Sequence, residues 1–240
     1  MPKKIILITG AASGIGRDIA FALSKEATLI LTDRNPSKLR SVHRRCSSDG
    51  AEVFSYAMDF SSPASVRSGT KKFRTAIPRI DWIVNCAGTI ERPGDLLNHD
   101  RKTIETVMRV NMIAPCEIIK ELWAPLRKGN GGIFMVASTA GLHGNPRFPI
   151  YSASKAAIIN LTESLAKSDL FRTHSKKAII LIPGPTNTPM RQRIAKDAKT
   201  KQSPSIISQW LLRAIQKNSA PSSGSSVFFV NGKISKRAMR

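Results

Sequence analysis

Residues 7–20 read LITGAASGIGRDIA. An apolar run ends in Thr9-Gly10, and the chain then passes through Gly14 and Gly16 into residues with helical spacing. The pattern is TGxxxGxG. Glycines let a backbone turn sharply and come close to a pyrophosphate, which then rests on the open N–H groups of a helix start. Gly10, Ser13, Gly14, Ile15 and Gly16 are therefore candidates to cradle a dinucleotide. A lone glycine-rich turn is a weak signal, and its plainer reading is a tight turn. Its position in the chain strengthens it.

Short apolar runs at 4–9, 28–32, 52–57, 82–85, 133–137, 178–182 and 227–230 read as strands. Between them, 15–25, 37–47, 64–76, 102–126 and 151–170 carry apolar residues at i, i+3, i+4 and read as helices. Regular alternation predicts right-handed crossovers. The expected fold is α/β: a Rossmann-type, doubly wound parallel sheet of about seven strands with helices on both faces. One dinucleotide-binding domain is expected over 1–240, with a loop at 218–226 and a loose basic tail at 233–240. The glycine loop thus falls at the first strand-to-helix junction.

Asp33 ends the second strand, 17 residues past Gly16. A carboxylate there accepts hydrogen bonds from ribose hydroxyls and repels a 2′-phosphate, which favours NAD(H). Arg34 beside it argues the other way, so NADP(H) is the alternative.

Composition narrows the class. Hydrophobic residues make up 41% of 240, enough for a packed core. Cys46, Cys86 and Cys116 lie far apart, and no Cys or His pair has metal-ligand spacing, so no metal site and no disulfide framework is expected. The first apolar run is too short for a signal peptide and no stretch is long enough to span a membrane, which makes the cytoplasm the expected location. The net charge is +22, and the last sixty residues hold eleven basic residues against one acid, Asp197. Such a field attracts polyanions. A solvated basic surface is the plainer reading, and nucleic acid is not the expected partner, because no recognition motif accompanies the charge.

Further motifs follow in order: MDF at 58–60, NCAG at 85–88, VNMIAP at 110–115, VASTAG at 136–141, YSASK at 151–155 and PGPTNT at 183–188. Together with TGAASGIG they make the chain similar to the short-chain dehydrogenase/reductase family, in its branch of about 250 residues. The resemblance runs over residues of about 3–190. It implies that Asp59 and Phe60 border the adenine. Asn85, Ala87 and Gly88 would form the NNAG-like turn, with Cys86 in place of the second Asn. Pro183, Gly184, Thr186 and Thr188 would flank the nicotinamide carboxamide. It further implies a catalytic group of Asn111, Ser138, Tyr151 and Lys155, and a homodimer or homotetramer built on 102–126 and 151–170 through Ile104, Val107, Ile113, Ile158, Leu161 and Leu165.

Tyr151 and Lys155 stand at i and i+4, on one helical face. A free phenol titrates near 10, too high for proton transfer at neutral pH, and a fixed ammonium is expected to lower it. Tyr151 would then pass a proton to a carbonyl oxygen or take one from an alcohol. Lys155 would also hold ribose hydroxyls, Ser138 the substrate oxygen, and Asn111 a water linking Lys155 to solvent. Taken singly, each residue has a plainer structural reading.

His143, Asn145, Arg147 and Phe148 lie between Ser138 and Tyr151 and are candidate substrate contacts, as is Met190. The resemblance implies that residues 188–203 correspond to a substrate lid. Arg191, Arg193, Lys196, Lys199 and Lys201 in it suit an anionic carbonyl or alcohol substrate. The expected function is therefore an NAD(P)-dependent oxidoreductase. Alternatives are a 3-oxoacyl-thioester reductase, a cofactor-sensing protein on the same fold, and a nucleic-acid-associated one.

Overall fold

The computed structural model describes residues 3–195 and 202–238. Eight strands form one sheet: β1 Lys4–Thr9, β2 Ala27–Asp33, β3 Val53–Ala57, β4 Trp82–Asn85, β5 Gly132–Val136, β6 Lys177–Pro183, β7 Ser226–Val230 and β8 Lys233–Arg237. Their spatial order is β3-β2-β1-β4-β5-β6-β7-β8. Every pairing is parallel except β7 with β8.

The helices are α1 Gly14–Leu23, α2 Pro36–Ser48, α3 Pro63–Ala76, α4 Arg101–Met108, α5 Ala114–Glu121, α6 Trp123–Arg127, α7 Pro149–Lys167, α8 Asp169–Thr173, α9 Pro189–Ile194 and α10 Ser205–Gln216. Three of them begin with the same device. Asn35, Ser62 and Thr188 accept the amides of Lys38, Ser65 and Arg191, and each is followed by a proline whose missing N–H costs nothing there.

Alternate residues of the buried strands serve opposite faces. Ile8, Leu31, Val84 and Phe134 pack with α1, α2 and α10. Leu7, Ile30, Ile83 and Met135 pack with α3, α5 and α7. Layers on both faces explain why the strands read as continuous apolar runs.

Several expectations are corrected. The expected helix over 102–126 is broken: α4 gives way to a π-turn, Arg109–Ile113, before α5. Pro115 has no N–H for the carbonyl of Asn111, and its ring collides with that carbonyl in α register, which accounts for the widened turn. The helix expected to Leu170 stops at Lys167, where Ser168 caps α8. The helix α10 was not expected at all. Residues 233–237 are no loose tail but the eighth strand. Asn231 and Gly232 both take positive φ, 50° and 75°, the two-residue turn that suits a hairpin. Val107 and Ile158, expected to face a partner subunit, lie inside the core at 2% exposure.

Phe134 is fully buried, with the Trp82 ring stacked at 4.4 Å and Trp210 edge-on at 6.3 Å. Phe134→Ala should therefore lower the free energy of unfolding by about 3–5 kcal/mol, read by urea denaturation.

Candidate active site

A cleft of about 820 Å³ opens along the C-terminal ends of the strands. This is where an open α/β sheet reverses strand order and its loops part. Gly10 has φ +67°, and a Cβ there would stand 2.8 Å from Ala87 Cα. A Cβ on Gly16 would meet the Gly10 carbonyl oxygen at 2.4 Å. No other residue fits either place, so the loop hugs β4 and the start of α1. Ser13, at the N-cap of α1, makes no side-chain capping bond. That leaves the start of α1 without a local side-chain cap at the cleft, a fit for a pyrophosphate.

Asp33 holds the loop to β2: its Oδ2 accepts from Ala12 N at 3.2 Å and its Oδ1 from Asn35 N at 2.9 Å. Arg34 and Lys38 line the same end of the cleft, and no ion pair engages either among the described residues. Lys38, in the first turn of α2 four residues after Arg34, was missed in the sequence. Asp59 and Phe60 border this end too. Asp59 Oδ1 accepts from Ser61 N and Oγ at 2.9 and 2.7 Å.

At the other end stand Ser138, Tyr151 and Lys155. The Lys155 side chain is buried, and Nζ donates to the Val136 carbonyl at 2.8 Å and lies 5.7 Å from the centroid of the Tyr151 ring. Burial pushes this ammonium down to about 8. Burial also pushes the Tyr151 phenol up to about 12, with a hydrogen bond to Ser138 pulling the other way and Cys86 and Glu91 adding to the rise. The expected lowering is thus reversed: a phenolate taken out of water costs more than the hydrogen bond to Ser138 returns.

Asn111 sits in the π-turn at 1% exposure, behind the cleft rather than on it. Its Oδ1 accepts from Thr89 N at 2.8 Å, and its Nδ2 donates to Thr89 O and to Ser154 Oγ, both at 2.9 Å. The side chain ties the segment after β4 to α7 with both amide donors in use. A Cβ on Gly88 would stand 3.4 Å from Asn111 Oδ1 and 3.6 Å from Lys155 Nζ. Gly16 and Asn85 also lie off the cleft wall. Asn85 is buried beneath it, donating to Met135 Sδ. Cys86 lines the cleft beside Ala87 and Gly88, its thiol pushed up to about 12 by burial and therefore neutral.

Pro183, Gly184, Thr186 and Thr188 form the floor beyond β6. Gln202 anchors them: its Nε2 donates to Thr186 Oγ1 at 2.9 Å and to Phe229 O at 3.0 Å. His143, Asn145, Phe148 and Met190, expected as substrate contacts, line the cleft, as do Arg191 and Arg193. Arg147 does not; it packs over the Phe148 ring at 5.8 Å. Lys196, Lys199 and Lys201, expected in the lid, lie outside the described residues. Ile90, Val110 and Ile194 also line the cleft and carried no signal in the sequence.

The sequence profile described as short chain dehydrogenase matches residues 4–199. The chain belongs to the short chain dehydrogenase family. Among curated relatives, the 3-oxoacyl-[acyl-carrier-protein] reductase FabG of Thermotoga maritima is 31% identical over 82% of this chain and 79% of its own. The ketoacyl reductase HetN of Nostoc, 30% identical, is matched over 68% of this chain and 57% of its own. A solved short chain dehydrogenase of Shigella flexneri, complexed with NADP, superposes with a TM-score of 0.86 at 25% identity, covering 95% of this chain and 97% of that one. The L-sorbose reductase of Gluconobacter frateurii, complexed with NADPH and L-sorbose, shares the fold with a TM-score of 0.85 at 23% identity, over 96% and 95% of the two chains. This family member is an NAD(P)-dependent oxidoreductase. No helix of its described residues is long and apolar enough to cross a membrane.

The Lys155 ammonium titrates near 8 in the folded chain against about 10.5 in an unfolded one. Its burial therefore weakens the fold below pH 8, and stability returns as the pH rises through that window. Lys155→Met should unfold at a higher temperature than wild type at pH 7, by calorimetry, and the margin should close between pH 8 and 10.5.

Proposed function

We propose that this chain interconverts a carbonyl and a secondary alcohol, with Tyr151 exchanging the proton at the substrate oxygen. One observation carries the reading: Ser138, Tyr151 and Lys155 converge at one end of a cleft whose other end is the glycine loop. The nicotinamide cofactor supplies or takes the hydride when bound. The protein contributes position and field. Ser138 steadies the substrate oxygen by hydrogen bond, and Lys155 supplies the positive charge beside the phenol. Lys155 has two further N–H donors beyond the one given to Val136, and these suit ribose hydroxyls. Asn111 fixes the wall behind them.

For the cofactor, Asp33 supports NAD(H), while Arg34 and Lys38 support NADP(H). The two ends of this argument are separable by mutation. Fluorescence titration with NADH and NADPH should show Asp33→Ala losing NADH affinity and gaining NADPH affinity by about ten-fold. Arg34→Ala with Lys38→Ala should do the reverse. Failure of the folded protein to bind either would end the oxidoreductase reading. Tyr151→Phe should keep cofactor binding and lose ~10²–10⁴-fold in turnover.

For the substrate, the wall combines apolar Ile90, Val110, Phe148 and Met190 with cationic Arg191 and Arg193. This supports an apolar carbonyl compound bearing an anionic group. A 3-oxoacyl thioester is of that class, and the Thermotoga relative gives it independent support. We further place the protein in the cytoplasm, where Cys46, Cys86 and Cys116 stay as the free thiols they are here. A homodimer or homotetramer is the assembly we expect, as exposed Ile113 on the π-turn permits.

A further inference from the structure

Helix α7, which carries Tyr151, starts differently from α2, α3 and α9. It has the proline, Pro149, but Phe148 occupies the capping position and makes no side-chain bond. The acceptor comes from 59 residues earlier. Glu91 Oε1 accepts from Ile150 N at 2.9 Å and from Tyr151 N at 3.0 Å, and Oε2 lies 3.1 Å from the same Tyr151 amide. This carboxylate is 4% exposed, and no ion pair engages it among the described residues. Its compensation is the amide pair and the positive end of the helix.

The segment bearing Glu91 is held on both sides. Thr89 is clamped through its N–H and its carbonyl by Asn111, and Gly94 N donates to Arg147 O at 3.0 Å. One short stretch after β4 therefore connects the π-turn to the first turn of α7. Were capping the sole requirement, a Ser, Thr, Asn or Asp at 148 would meet it locally, as at Asn35, Ser62 and Thr188. A buried carboxylate delivered from another element adds something a local cap does not: a negative charge seated at the backbone of the tyrosine.

We propose that Glu91 is a positioning residue of the active site, whose carboxylate both fixes the first turn of α7 and opposes a second negative charge on the Tyr151 phenol. The charged and titratable groups beside that phenol are Lys155 on its own helix, Cys86 after β4 and Glu91 itself, while His143 and Arg191 line the same cleft. Cys86 is neutral in the working range, and Lys155 favours phenolate. Glu91 is the acid that disfavours it. Burial does most to keep the phenol protonated and the Glu91 charge adds to it, leaving a proton ready to donate in the direction of carbonyl reduction. This extends the proposed role of Tyr151 and rests on that reading only for its consequence in turnover.

Glu91→Gln keeps the Oε1 bonds to the amides of Ile150 and Tyr151, gives up the longer Oε2 contact and removes the charge, whereas Glu91→Ala removes them all. Tetranitromethane nitrates phenolate rather than phenol, so the nitration rate of Tyr151 at pH 8, followed by the mass of its peptide, reads the ionised fraction without cofactor or substrate. Glu91→Gln should nitrate about three- to ten-fold faster than wild type, with an unchanged melting temperature. Its pH profile for NAD(P)H-dependent reduction should move to lower pH, while Glu91→Ala loses turnover that Gln largely restores. Nitration of Glu91→Gln at the wild-type rate would overturn the proposal, and it would do so whether or not the protein turns over a carbonyl. Faster nitration in a protein that binds neither cofactor would keep the coupling and remove the oxidoreductase reading alone. Should Glu91→Ala fail to fold, the comparison of Gln with wild type still decides.

Discussion

The hydroxyl of Thr9 holds the two halves of the cleft together. It ends β1 at 1% exposure and accepts from Cys86 N and Ala87 N, both at 3.0 Å. Strands β1 and β4 are neighbours although far apart in the chain, because the parallel order reverses between them. Their loops leave for opposite faces, and without a tie the ends would splay. The bond brings the turn after β4 against Gly10, close enough that no side chain fits there. Everything along the cleft is indexed to that contact. The glycine loop lies on one side, and on the other Gly88 leads to Thr89, Asn111 and Lys155.

Charge is buried at the site on terms that differ for each group. The Lys155 ammonium is satisfied by a single backbone carbonyl, so burial lowers its pKa instead of being fully compensated. Glu91 is satisfied by two amides and a helix start. Tyr151 lies between them, its phenol raised by burial and by the acid and drawn down by Ser138. The opposite end of the sheet uses the same vocabulary without chemistry. There Asp81, 2% exposed, accepts from Ile5 N and Asn130 N, pairs with Arg79 at 3.2 Å, and lies near buried Lys176. That acid has a cation and a full set of donors, so its charge is spent on holding strands together. At the cleft end, Lys155 and Glu91 are buried without an ion-pair partner among the described residues, the arrangement that suits a site where charge is used rather than neutralised.

How much of this was legible follows from the range of each interaction. TGxxxGxG and YxxxK are local patterns, and the fold and most of the cleft wall came with them. The π-turn had a local signal that the apolar spacing concealed: Pro115 stands inside the run, and a proline there ends or kinks a helix. Ile207, Leu211 and Ile215 carry the helical period of α10, yet polar neighbours on both sides hid it. Asn231-Gly232 is a strong hairpin signal, and the basic residues after it drew attention away. Glu91 had no signal at all. Its partners are 59 and 60 residues away, and an isolated acid after a turn reads as solvated. The direction of the Tyr151 shift was missed for a related reason. Spacing reveals the neighbour four residues on, but the desolvation that outweighs it is a property of the packed chain.

Precision at the site therefore comes from elements that would each be loose alone. Phe148 leaves the amides of Ile150 and Tyr151 without a local acceptor, and the segment after β4 supplies one through Glu91. That segment is set by Asn111, whose orientation depends on the π-turn, which in turn depends on Pro115. Arg109 and Glu117 close the same turn with two bonds, at 2.8 and 2.5 Å, bracing it from the outside. The chain of dependence runs from a proline on one helix to the phenol on another without passing through the sheet.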